Sequence, residues 1–108
     1  MRVLFDNGTP RGVAVALTDH VVEEARAHGS DSLQNGELLD AAEAAGFDVF
    51  VTTDRNLRHQ QNLTRRKIAI VVIGKGRWRL IKPRLAAIAL AVAAATAGTI
   101  AEVEIPGD

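Results

Sequence analysis

The sequence predicts a single α/β domain built on a largely parallel sheet, and three observations support this prediction. Short apolar runs lie at residues 2–6, 49–53 and 68–73, and such runs are typical of strands buried on both faces of a sheet. Segments with helical patterns separate them, as in βαβ units. The chain has 108 residues, of which 47% are apolar, and no repeat or linker divides it. We therefore expect one domain over residues 1–108 with its own core.

The segment after the first strand is predicted to form a turn and then a helix. Thr9 can cap a helix whose first residue is Pro10, since proline is favoured at the first helical position. This helix would run to about Leu17. A second short strand is expected at residues 20–22, followed by a polar loop through residues 29–32.

The next helix is predicted from its two ends and its apolar face. Asn35 is a good N-cap residue, and Gly46 suits the left-handed conformation that closes many helices. Between them, one face carries apolar side chains at helical spacing. These side chains are Leu38, Leu39, Ala42 and Ala45. The strand at residues 49–53 follows this helix directly.

The C-terminal part is predicted to contain a long alanine-rich helix. Pro83 would open this helix and Gly98 would end it. Residues 85–101 carry no charge, but this stretch is too short and too rich in alanine for a membrane span. Its larger apolar residues recur at helical spacing, which favours a helix that faces the core. They are Ile81, Leu85, Ile88 and Val92.

Two smaller elements complete the prediction. A short helix is expected around residues 57–63, between two of the strands. Residues 99–105 would add an edge strand, which Pro106 would stop.

Composition narrows the class of protein. The chain has no cysteine, so disulfides and thiolate metal sites are excluded. The first apolar stretch stops after three residues, which does not fit a secretory signal peptide. We therefore expect a cytoplasmic protein.

Two of the predicted strands lead directly to an aspartate. Asp6 follows the first strand and Asp54 follows the strand at residues 49–53. Parallel sheets bind ligands just beyond the carboxyl ends of their strands, and neighbouring strands lie only ~4.8 Å apart. If the two strands are neighbours, two carboxylates lie side by side and need a proton or a cation between them. This arrangement favours a divalent metal site.

A metal-dependent phosphodiesterase needs a third carboxylate, and Glu37 is the best candidate. It lies in the first turn of a predicted helix, where the helix dipole also favours a negative charge. A glutamate at that position is also a common helix stabiliser, and taken alone this is the favoured interpretation. Asp40 lies one turn further along and is expected to be solvated.

The ordered set of these motifs resembles the PIN-like domain family, in particular its short bacterial and archaeal members. The resemblance lies in residues 3–10, 35–42 and 51–57, which read VLFDNGTP, NGELLDAA and VTTDRNL. A strand that ends in Asp, a later helix-start Glu and a strand that ends in Thr-x-Asp occur in the order found in that family. The similarity extends over about residues 2–75.

The resemblance implies a three-layer α/β/α sandwich and a metal-dependent nuclease. It implies that Asp6, Glu37 and Asp54 bind Mg²⁺ or Mn²⁺ and are catalytic. A metal-activated water would hydrolyse the phosphodiester bonds of RNA, or less often DNA. Asn56 stands where the family often has a fourth acid, a difference that would weaken metal binding or leave a single-metal site.

The resemblance also implies partners. Many PIN proteins are toxins that a small antitoxin neutralises, so a toxin–antitoxin module is expected, and small PIN proteins commonly form homodimers. The open alternative is a catalytically inactive PIN-like module that binds nucleic acid or protein. A flavodoxin-like or receiver-like domain is disfavoured, because the chain is short for five strands and five helices.

Charge is divided unevenly along the chain. Residues 55–84 contain ten Lys or Arg and no acid, whereas residues 1–54 contain ten acids and three basic residues. A purely basic block fits contact with a polyanion, but it equally fits a solvated face that balances the acidic half. The candidate nucleic-acid-binding residues are Arg55, Arg58, Lys75 and Arg77. Trp78 could stack on a base, although packing against the last helix is favoured.

Overall fold

Five parallel strands form one sheet in the computed structural model of this chain, which describes residues 1–28, 35–55, 66–74 and 77–106. The order across the sheet is β2-β1-β3-β4-β5, and each neighbouring pair is parallel. The predicted α/β class with a parallel sheet is therefore confirmed. The strands are β1 Arg2–Phe5, β2 Val21–Glu24, β3 Val49–Thr52, β4 Ala69–Ile73 and β5 Ile100–Val103.

The strand order sets a switch point at the centre of the sheet. The chain passes from β1 to β2 on one side, and then crosses back to place β3 on the other side of β1. Open α/β sheets bind ligands at such a point, and flavodoxin-like folds share this strand order. The chain was expected to be too short for five strands and five helices. The part of that expectation that concerns the strands was wrong, whereas the described residues form three α-helices.

Helices cover both faces of the sheet, so the domain has three layers. Helix α1 (Asn35–Ala44) packs on one face. The other face carries a 3-10 helix (Arg11–Ala16), α2 (Trp78–Ile81) and α3 (Leu85–Ala93). Because successive side chains of a strand point to opposite faces, each strand contributes to both cores. The core beside α1 includes Leu4, Phe50, Ile70, Leu38 and Leu39, and the core beside α3 includes Phe5, Val51, Val71, Ile81 and Ile88.

Of the two residues predicted to end or begin a helix, Gly46 does so and Thr9 does not. Gly46 has a φ of 84°, a left-handed conformation, and it follows α1 closely, which confirms its role. The prediction for Thr9 was wrong: its hydroxyl donates to the Val51 carbonyl at 3.0 Å and does not cap a helix. The segment that follows is a 3-10 helix, and its N-cap residue, Pro10, makes no side-chain cap. Thr9 therefore fastens the loop after β1 to the neighbouring strand.

The alanine-rich helix is shorter than predicted and is interrupted. The helical segment begins at Trp78, passes through a 3-10 turn at Lys82–Arg84 that contains Pro83, and continues as α3 to Ala93. A proline inside a helix removes a backbone hydrogen bond, which accounts for the change of winding. Three of the four predicted core positions are fully buried, namely Ile81, Ile88 and Val92, and Leu85 is partly buried against the same core.

Three further predictions concern the last strand, a membrane span and a short helix. β5 is an edge strand, as predicted. Among the residues described, no helix has the length and apolar character to cross a membrane. The helix expected at residues 57–63 lies outside the described residues.

Candidate functional site

Asp6 and Asp54 lie at the carboxyl edge of the two central strands. β1 and β3 are direct neighbours, with Phe5 opposite Val51, and the Asp6 N–H donates to the Val51 carbonyl at 2.9 Å. Asp54 follows β3 by two residues. The condition on which the two-carboxylate prediction depended, that the two strands are neighbours, is therefore met. The position is also the switch point of the sheet, where a ligand is expected.

Thr52 connects the two aspartates through a single buried hydroxyl group. Its Oγ1 donates to Oδ2 of Asp6 at 2.6 Å and accepts the Asp54 N–H at 3.1 Å. The second carboxylate oxygen of Asp6 accepts the N–H of Asn7 at 2.7 Å. Two donors thus fix the plane of the Asp6 carboxylate, and each oxygen keeps a lone pair for a further ligand. The local sequence produces this geometry because Thr52 is the last residue of a strand that is buried throughout.

A cavity of about 220 Å³ opens beside Asp6, at the ends of β1 and β2. Its lining includes two acids, Asp6 and Glu24, and two bases, Arg11 and Arg26. Nε of Arg11 donates to Glu24 at 2.9 Å. Glu24 is the last residue of β2, so its carboxylate belongs to the same edge of the sheet as Asp6.

Glu37 is not among the residues that line the cavity beside Asp6. It is exposed in the first turn of α1. Within the described ranges, no three Asp, Glu, His or Cys side chains come together to hold a metal ion. The predicted set of Asp6, Glu37 and Asp54 is therefore not assembled as one group. The oxygen donors at the strand ends still fit Mg²⁺ or Mn²⁺, since Mg²⁺ is commonly held by one or two carboxylates and keeps several waters.

Arg55 lies at the opposite side of the switch point from Glu24. Its guanidinium occupies the space that a Cβ on Gly74 would need. It lines a cavity of about 370 Å³ together with Glu102 and Glu104 of the β5 edge. Arg77 is exposed just before α2. Arg58, Lys75 and Asn56 lie outside the described residues.

Trp78 packs against a different element from the one predicted. Its indole ring covers Gly12 of the first 3-10 helix so closely that a Cβ at Gly12 would collide with the ring. The side chain remains 38% exposed. The favoured structural interpretation of Trp78 thus gains support, although its partner is the N-terminal 3-10 helix.

Asp40 is solvated, as predicted, and it also forms an ion pair. Its side chain is 72% exposed, but it pairs with Arg66, which also donates to Glu43 at 2.8 Å. The hydrogen bond to Glu43, followed by the contact with Asp40, raises the pKa of the Arg66 guanidinium. At least one arginine of the basic block therefore balances acids of the first half.

Several residues of the site were missed by sequence reasoning. Thr52 belongs to the Thr-x-Asp motif, but its role in joining the aspartates depends on strand pairing. Glu24 is the last residue of β2 and Arg26 lies two residues later. Their position at a strand end was the one signal that could have identified them. Arg11 could not be found this way, because it reaches Glu24 across the fold.

Comparison of the chain with known proteins finds no matching family model, no matching curated protein and no matching solved structure.

Proposed function

We propose that this protein is a metal-dependent nuclease that hydrolyses phosphodiester bonds, with RNA as the preferred substrate. The observation that carries the proposal is the pair Asp6 and Asp54 at the switch point, joined through the Thr52 hydroxyl. The resemblance of the sequence to the PIN-like family implies that this pair binds a divalent metal ion. In that interpretation both aspartates are metal ligands and catalytic. The resemblance assigns the same role to Glu37, which the described structure does not group with them.

The chemistry rests on oxygen donors that are held in place before substrate arrives. Asp6 is fixed by Asn7 and Thr52, so its free lone pairs have a set direction. A bound Mg²⁺ or Mn²⁺ ion supplies an acidified water and charge stabilisation for the leaving oxygen. The two aspartates would bind that ion, whose charge would offset the repulsion between their carboxylates, and the neighbouring side chains would orient the phosphodiester.

The second candidate is a catalytically inactive module on the same fold, which binds nucleic acid or protein. The absence of a three-acid group among the residues described favours it. A binding module needs the charged surface but not the metal, so metal dependence separates the two candidates.

The same proposal extends to partners and location. A small antitoxin and a homodimer follow from the resemblance, and a reducing cytoplasm suits a chain without cysteine. For a homodimer, Val15 and Leu90 offer apolar contact, since each is 72% exposed on the α3 side of the sheet. Light scattering of the purified protein measures its mass in solution and decides this point.

The test of the nuclease is cleavage of labelled single-stranded RNA and DNA in Mn²⁺ or in EDTA. Cleavage is expected only with Mn²⁺, and Asp6→Asn and Asp54→Asn should each lower its rate by about two orders of magnitude or more. Asp19→Asn is the matched control, because Asp19 is exposed at the opposite edge of the sheet, before β2. Binding without cleavage would instead establish the inactive module.

Strand order alone does not choose between hydrolysis and phosphotransfer. Incubation with a small phosphodonor, followed by mass spectrometry, therefore belongs to the same experiment. Covalent labelling of Asp54 would contradict the nuclease proposal and favour a receiver-like function.

A further inference from the structure

We propose that the cavity between the ends of β1 and β2 is the phosphate-binding part of this site. Arg11 and Arg26 hold the backbone of single-stranded RNA there, directly beside Asp6. The inference rests on the nuclease function proposed above and names the residues that position its substrate. Both arginines come from the acidic half of the chain rather than from the basic block.

Arg26 lines the cavity and has no ion-pair partner among the described residues. It lies in the 3-10 helix Ala25–His28 that follows β2, and its neighbour Ala25 is fully buried in the α1-side core. This anchoring holds the backbone of Arg26 at the end of β2, while its side chain is exposed. Arg26 forms no ion pair with any residue that the structure describes. Its guanidinium is therefore ready to bind an anion that enters the cavity.

The ion pair between Arg11 and Glu24 is weak enough for a phosphate group to replace Glu24. Among the described residues, its single hydrogen bond runs from Nε to Glu24, and the Arg11 side chain is 77% exposed. Exposed ion pairs contribute little free energy, because water competes with the partner. A phosphate group can accept two parallel N–H donors from one guanidinium, which a single bond from Nε does not provide. The backbone of a nucleic acid can thus displace Glu24 from Arg11.

The charge of the cavity makes this binding depend on a metal ion. The two arginines balance the carboxylates of Asp6 and Glu24, so the four side chains sum to zero. A divalent cation at Asp6 changes that sum to plus two. A polyanion is then attracted to the cavity, because its affinity follows the positive charge that it can neutralise. RNA affinity should therefore rise when Ca²⁺ or Mg²⁺ is added.

The first test measures RNA binding in Ca²⁺ by fluorescence anisotropy over a range of salt concentrations. Arg26→Ala and Arg11→Ala should each weaken binding by roughly tenfold and reduce the salt slope by about one. Arg84→Ala is the matched control, since Arg84 is equally exposed but ends the 3-10 turn before α3. Equal losses for Arg84→Ala and Arg26→Ala, or no loss for Arg26→Ala and Arg11→Ala, would overturn the inference.

A second variant should act in the opposite direction. Glu24→Gln removes a negative charge and releases Arg11, so RNA should bind more tightly than to the unchanged protein. A loss of structure cannot produce that result, whereas affinity equal to or below that of the unchanged protein contradicts the inference.

Cleavage in Mg²⁺ separates this inference from the function on which it rests. Suppose that the unchanged protein cleaves RNA, and that Arg26→Ala and Arg11→Ala cleave it with the same KM as the unchanged protein. This result would overturn the proposed phosphate site and leave the nuclease proposal intact. If the unchanged protein neither cleaves RNA nor binds it more tightly with metal, both proposals fail.

Discussion

Thr52 joins the two aspartates of the candidate site through one hydroxyl group. It donates to Asp6 and accepts from the Asp54 backbone, and it is buried at the end of β3. Such a group has two effects, since it satisfies buried polar atoms and also sets the direction of a carboxylate. A change at this single position should therefore alter both stability and activity.

The substitution Thr52→Val keeps the shape of the side chain and removes both hydrogen bonds. We expect the free energy of unfolding to fall by about 1–3 kcal/mol, because Asp6 and the Asp54 N–H each lose a partner. Cleavage of RNA should fall by roughly 10–100-fold, as for other groups that orient metal ligands. Urea denaturation and a cleavage assay measure the two effects.

The matched control is Thr53→Val at the next position. Thr53 is half-buried and donates no hydrogen bond to another described residue. Equal losses of activity for the two valine variants would show that the Thr52 hydroxyl has no special role.

At the level of elements, Arg66 ties helix α1 to the segment that leads into β4. Its guanidinium contacts Asp40 and Glu43, and the second oxygen of Glu43 accepts the Lys67 N–H at 3.1 Å. Glu43 is 18% exposed, whereas Asp40 is 72% exposed. Because water screens the Asp40 contact, most of the stabilisation should come from Glu43.

The two acids should therefore respond differently to neutralisation. Glu43→Gln is expected to lower the free energy of unfolding by about 1–2 kcal/mol, since it removes a charge-assisted bond that is largely shielded from water. Asp40→Asn should cost less than about 0.5 kcal/mol. Urea denaturation of both variants gives the comparison, and equal costs would contradict this interpretation of the ion cluster.

For the whole molecule, metal binding and folding are coupled if Asp6 and Asp54 hold an ion. Ligands that bind the folded state stabilise it by about 2.7 kcal/mol at 100 times their dissociation constant. For a domain of this size, that corresponds to a rise in melting temperature of roughly 10 °C. Mn²⁺ should therefore raise the melting temperature of the unchanged protein and leave that of Asp6→Asn unaltered.

Asp19→Asn provides the control for adventitious binding to surface acids. It should retain the full shift, because Asp19 precedes β2 and lies at the amino edge of the sheet. A shift that persists in Asp6→Asn, measured by differential scanning fluorimetry or calorimetry, would argue against the metal site.

Local sequence patterns were enough to predict the elements that depend on neighbouring residues. The apolar runs identified β1, β3 and β4, and the spacing of Ile81, Ile88 and Val92 identified the core face of the last helix. These features are local, because strand and helix periodicity and glycine conformations are set within a few residues. The positions of the aspartates at the ends of two strands could be predicted from the same local patterns.

The contacts between these residues depend on how the whole chain folds. The order β2-β1-β3 placed Asp6 and Asp54 at the ends of neighbouring strands, and it brought the Thr9 hydroxyl to the Val51 carbonyl. No three-acid group forms among the residues that the structure describes. The fold also brought Arg11 to Glu24 at the mouth of the cavity. Several of these contacts join residues that are tens of positions apart in the sequence. They result from how whole strands and helices pack. No local pattern encodes them, which is why the site could be predicted at its strand ends but not in its surroundings.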